Sequence, residues 1–171
     1  MISLMILTVA TYILMSTVTA SAASASAKRE KALAAEAVSN MIERIRACPP
    51  RDVFKLFNSD PSDDPYGKGT GHGPYFDIDG LDPQLDARGN PLPLGEILLP
   101  GARGMLDESL SQPEFGLPRD LDGSMFIEPG DCKDRYVLLP LIVRARWSGR
   151  LGERDFQMAT VAVDRPLGEA P

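Results

Sequence analysis

Residues 120–131, DLDGSMFIEPGD, carry oxygen donors at a spacing that can close around a hard cation. Asp120, Asp122, Ser124, Glu128 and Asp131 stand at positions 1, 3, 5, 9 and 12 of a twelve-residue calcium loop, with the backbone carbonyl of Phe126 at position 7 and apolar Ile127 at 8. Calcium takes six to eight such oxygens, so this spacing makes Asp120, Asp122, Ser124, Phe126, Glu128 and Asp131 the expected ligand set. Three features weigh for a plain acidic turn joining two strands instead: Met125 stands where the turn favours glycine, Asp131 replaces a bidentate glutamate, and no helix clearly flanks the loop.

Other chemistry-bearing residues are less organised. FDIDGLDPQLD offers Asp77, Asp79, Asp82 and Asp86 without the twelve-residue spacing, and reads as a solvated acidic loop. YGKGTGHGPYF has a glycine at every second position from Gly67 to Gly73, yet Lys68 is not followed by Ser or Thr and no strong strand precedes it. A flexible turn is expected there rather than a phosphate cradle. The single histidine, His72, lies in that loop with no rigid element to aim it, so neither a Ser-His-Asp nor a Cys-His arrangement is expected and the chain does not read as an enzyme.

Cys48 and Cys132 are the two cysteines, too few with one histidine to close a zinc site. In an oxidising compartment they are expected to pair, and closing so long a loop stabilises by ~4 kcal/mol when unstrained. The other reading is a pair of buried free thiols.

The elements that must hold these groups begin with MISLMILTVATYILMSTV. The first charged residue is Lys28, and the apolar run from Met1 to about Ala20 matches the ~20 residues a helix needs to cross a hydrocarbon core. SAASASAK has the small residues of a signal cleavage site, but helix-forming alanines continue straight through it. ASAKREKALAAEAVSNMIERIRACPP reads as uninterrupted helix until Pro49-Pro50, with Ala34, Val38, Met41, Ile42 and Ile45 forming one apolar stripe. The sequence therefore predicts a helix kept as an anchor. Lys28, Arg29 and Lys31 directly after the apolar run stand against the positive-inside rule for a head outside the cytoplasm.

Charge is uneven. The net charge is -6; residues 28–51 hold six Lys/Arg against three Asp/Glu, whereas 52–134 hold six against seventeen. So acidic a middle excludes a nucleic-acid surface, which needs clustered cations to displace phosphate counterions. Residues 58–131 also hold ten of the fifteen prolines and twelve of the fifteen glycines, predicting loops with short strands. At the end, Leu141, Val143, Ala145 and Trp147 alternate with Ile142, Arg144 and Arg146. After SGRLGE, Phe156, Met158, Thr160 and Ala162 alternate with Asp155 and Gln157 at the strand's start. This predicts an antiparallel hairpin over about 136–164, with a bulge or an unpaired edge at Pro140.

The apolar run merging into an amphipathic helix ending MIERIRACPP, with the closing YVLLPLIVRARWSG and RLGERDFQMATVAVDR, resembles the type IV pilin-like family, in particular minor pilins and type II secretion pseudopilins. The resemblance covers residues 1–50 and about 120–164. It implies an α+β fold, a long N-terminal helix packed on a small antiparallel sheet. Residues 1–27 would be the transmembrane and filament-core segment, 28–48 its amphipathic continuation, and 49–171 a loop-rich head outside the cytoplasm. It also implies a structural role: a single-pass inner-membrane subunit assembling with other pilin-like subunits and their machinery into a type IV pilus or type II secretion pseudopilus, exposed on the filament or cell surface afterwards. The family's basic leader and Gly-Phe-Thr-Leu-Ile-Glu-type motif do not stand before Met1. Either they are expected upstream, where the leader would resolve the charge conflict, or processing is lost. The alternative reading is a secreted binding or adhesion domain with a cleaved signal peptide and a calcium-stabilised loop.

Overall fold

The computed structural model describes residues 2–102 and 104–164. Helix α1 spans Ile2–Ala47, 46 residues in one unbroken element and about 70 Å at 1.5 Å per residue. No glycine or proline interrupts it, and it ends just before Pro49-Pro50, where the missing N–H and ring clash of proline forbid another turn. A 3-10 turn, Pro50–Asp52, and the short helix α2, Val53–Phe57, follow.

A four-stranded antiparallel sheet completes the fold, in the order β1 (Tyr75–Phe76), β2 (Gly95–Leu98), β3 (Leu138–Gly149) and β4 (Gly152–Val163). The fold is α+β, a long helix against a small sheet, as the sequence predicts. The hairpin falls within the expected range, with Arg150 and Leu151 making the turn between Gly149 and Gly152. Pro140 pairs in register with Val161, so there is no bulge; the β2 ladder stops at Ile142, leaving Pro140 where β3 has one neighbour.

The head is built where α1 lies across β3 and β4. All five stripe residues, Ala34, Val38, Met41, Ile42 and Ile45, are buried, and so are Leu139, Leu141, Val143, Ala145 and Trp147 on one face of β3. The two periods, 3.6 and 2, meet in a single seam. Each large aliphatic side chain enclosed there contributes roughly 1.5–3 kcal/mol. Phe156 and Ala162 of β4 pack against the same core, as does α2 through Val53, Phe54, Leu56 and Phe57. The Tyr136 hydroxyl joins these parts: it donates to Pro50 O at 2.6 Å and accepts the Phe54 N–H at 3.2 Å. Burial pushes its pKa up to about 12, and it remains a donor through the physiological range.

Loops fill residues 58–137, with β1, β2 and a second 3-10 turn at Pro113–Phe115. They are anchored by side chains inserted into the core, among them Ile78, Leu81, Leu106, Leu117 and Leu121. At β2, Gly95 leaves room for the Phe76 ring, whose atoms lie 2.3–2.5 Å from where a Cβ would stand.

Candidate functional site

Two regions could carry function: the acidic loop and the exposed half of α1. In the loop, Asp120 and Asp122 converge with a residue the sequence pattern did not reveal. One carboxylate oxygen from each of Glu108, Asp120 and Asp122 lies within 4.8 Å of the others. Glu108 is the one charged residue in the buried core among the described residues, 1% exposed. Its Oε2 accepts the Leu121 N–H at 2.8 Å and its Oε1 the Glu128 N–H at 3.0 Å, so one side chain ties both ends of the 121–128 segment. Nothing local marks Glu108, because both partners lie 13 and 20 residues away in sequence.

The other expected ligands are turned to different work. Asp120 folds back on its own loop, accepting N–H groups from Gly123 and Met125 at 2.7 and 2.8 Å. Asp122 accepts the Ser124 N–H and, through Oδ2, the Arg135 guanidinium at 2.8 Å. Burial raises the Asp122 pKa, but the bonds from Ser124 and the Arg135 charge outweigh it and leave the carboxyl below its usual value. Ser124 Oγ donates to the Phe126 carbonyl at 3.0 Å. Asp131 accepts N–H groups from Leu106 and Lys133, and Glu128 enters the network through its backbone. Of the expected ligands, Asp120 and Asp122 are the carboxylates grouped within 4.8 Å among the described residues. They join Glu108, and their oxygens already face N–H groups and a guanidinium. Met125, at the position where the loop favours glycine, takes φ 71°.

The expected Cys48–Cys132 bridge is not formed; both residues are free thiols. Cys48, at the end of α1, donates to Arg44 O at 3.4 Å, while buried Cys132 donates to Leu106 O at 3.1 Å. The Cys48 thiol caps the last turn of α1 and the Cys132 thiol ties a loop back to Leu106, a distinction that sequence spacing cannot convey. Burial first, then the Glu108 carboxylate, pushes the Cys132 pKa up to about 11.

His72 is exposed, its ring 5.4 Å from that of Phe57. Asp86 closes a tight loop by accepting the N–H groups of Arg88 and Asn90, and Asp77, Asp79 and Asp82 face solvent around buried Ile78 and Leu81. A surface cleft of about 550 Å³ opens between α2 and β2, lined by Phe54, Phe57, Tyr75, Leu98 and Met105 with Asp60 and Glu96 at its margin. Glu96 is engaged there by Arg144 and Arg146 at 2.7 and 3.0 Å.

The first half of α1 presents the opposite surface. Met5, Ile6, Leu7, Val9, Tyr12, Ile13, Leu14, Met15 and Val18 are exposed large apolar residues, with exposures from 53% to 76%. Four of its hydroxyls bond back to the helix: Thr11, Thr17 and Thr19 donate to carbonyls four residues earlier, and Ser16 to Ile13 O. Such back-bonding satisfies hydroxyls where water is absent. Among the described residues this is one helix long and apolar enough to cross a membrane. No protein-family model, curated protein or solved structure matches the chain.

Proposed function

We propose that the protein is a structural subunit of pilin-like build, held in the inner membrane by the apolar half of α1 with its head outside the cytoplasm. It assembles with similar subunits into a filament of the type IV pilus or type II secretion kind. The observation that carries this reading is the continuity of α1. The same helix that exposes a lipid-suited surface at Met5, Ile6, Leu7, Val9 and Tyr12 through Val18 buries Ala34, Val38, Met41 and Ile45 in the head. A subunit made this way can leave the bilayer for a helical core, exchanging lipid contacts for contacts with neighbouring helices of like character.

A secreted binding module with its first 27 residues removed is the competing reading. It shares the head, and its cation would sit at Glu108, Asp120 and Asp122. Those carboxylates already accept N–H groups and the Arg135 guanidinium, which bears on the cation and not on whether residues 1–27 are kept.

The deciding experiment is intact-mass and N-terminal analysis of the protein from membrane and soluble fractions, expressed from its native locus with upstream DNA. A membrane-bound species keeping the apolar run is the expected result. A soluble species beginning near Lys28 would overturn the proposal and leave the secreted module.

A further inference from the structure

The tip of the β3–β4 hairpin reaches the part of α1 where the apolar run ends. Leu151 and Arg154 line one groove with Ala20, Ala23, Ala27, Lys28 and Lys31, a concavity of about 450 Å³. Leu151 is 57% exposed, a bare leucine at the end of a hairpin. Lys28, Lys31 and Arg154 line the groove with it and Arg150 precedes it in the turn, and none of the four forms an ion pair among the described residues. The Arg154 Nε is enclosed without a hydrogen-bond partner.

The acids nearby form no ion pair with this cluster among the described residues. Glu30 is the only acid in the first 35 residues, and its two oxygens accept the Trp147 Nε1–H at 3.3 Å and the Ser26 hydroxyl at 3.0 Å. Glu153 and Asp155 flank Arg154 in β4 and line a neighbouring groove with Lys31 and Arg154, and Asp82 lines another with Glu30 and Arg150, yet none of these acids comes within ion-pair distance of the four cations among the described residues.

Depth supplies the second argument. About twenty residues of α1 fill a ~30 Å hydrocarbon core, which brings residues 21–28 to the headgroup level. The hairpin tip lies against that stretch.

We infer that this collar is a binding surface for anionic phospholipid headgroups of the leaflet facing the head, with Leu151 entering the bilayer interface between them. The inference rests on the anchored reading. Lys28, Lys31, Arg150 and Arg154 contact the phosphates, and the apolar tip gains burial that solvent denies it. The collar fixes how far the head stands from the membrane.

The test uses the full chain in vesicles of phosphatidylcholine alone or mixed with phosphatidylglycerol, with brominated acyl chains. A Leu151→Trp variant reports depth through bromine quenching; the parent, whose sole tryptophan Trp147 is buried, gives the background. About twofold stronger quenching of the added tryptophan is expected in the anionic vesicles. It is lost in Lys28→Gln/Lys31→Gln/Arg150→Gln/Arg154→Gln and unchanged by inorganic phosphate. Equal quenching in both vesicles, with the chain still floating with the lipid, refutes the collar and leaves the anchor. Abolition by inorganic phosphate also refutes it, assigning the cluster to the free anion. A chain that does not float with either vesicle removes the anchored reading and the collar with it.

Discussion

Glu108 shows how much one buried carboxylate does in a loop-rich head. Its two oxygens satisfy N–H groups at Leu121 and Glu128, and a buried donor left unpaired costs about 1–3 kcal/mol. Glu108→Ala is therefore expected to destabilise the head by roughly 2–5 kcal/mol, read by urea unfolding of the detergent-solubilised chain through Trp147 fluorescence. Glu108→Gln should fall between the two, since it keeps one acceptor. Met125 lies in the same loop with the reverse expectation. At φ 71° and 89% exposed it bears left-handed strain and loses little packing if truncated, so Met125→Gly is expected to stabilise by about 1 kcal/mol in the same assay. Unchanged stability would mean that the loop relaxes this strain elsewhere.

Among the elements, the seam between α1 and β3 carries the fold. Leu141, 1% exposed and central in β3, has no route to solvent. Leu141→Ala should cost about 2–5 kcal/mol, whereas Leu151→Ala at the hairpin tip should cost under about 0.5 kcal/mol, compared by thermal unfolding. This seam was legible in the sequence because both partners carry their period openly: Ala34, Val38, Met41 and Ile45 every three or four residues, Leu141 to Trp147 every second. The loops were not. Their order comes from Glu108, Asp131 and Tyr136 reaching partners 13 to 86 residues away, and no local pattern records such distances. The calcium spacing at 120–131 was real as a pattern, but carboxylates at that spacing serve equally to cap a loop's own N–H groups, as Asp120 does. For the two cysteines the spacing left a bridge and two free thiols open, and here each sulfur donates to a carbonyl instead, Cys48 to one four residues back in its helix and Cys132 to one 26 residues away.

Taken whole, the head's pH dependence has two limbs. Asp107 and Asp134 are held below their usual carboxyl values by the Ser109 hydroxyl and the Lys55 ammonium, and Asp122 joins them. Groups depressed in the folded state stabilise above the ordinary value near ~4 and lose that contribution as pH falls through the lowered one. Cys132 and Tyr136, raised to about 11 and about 12, act in the other direction. Their contribution is full below the unfolded values of about 8.5 and 10, and is lost as pH rises toward the folded ones. Stability measured by urea midpoint is expected to plateau between about pH 5 and 8 and to fall on both sides. A midpoint still rising above pH 9 would contradict the burial of these two groups.

The unbroken course of α1 has a mechanical consequence. A rod without proline or glycine has no hinge, so tilt is transmitted along its length rather than absorbed. A lean of ~20°, ordinary for a single span, carries the far end of residues 28–47 sideways by about 10 Å, and the sheet seated on that segment swings with it. In the anchored form proposed above, traction on the head would likewise be borne along the helix axis, in line with its hydrogen bonds, so the chain would work as a strut whose loops take their bearing from the lower end.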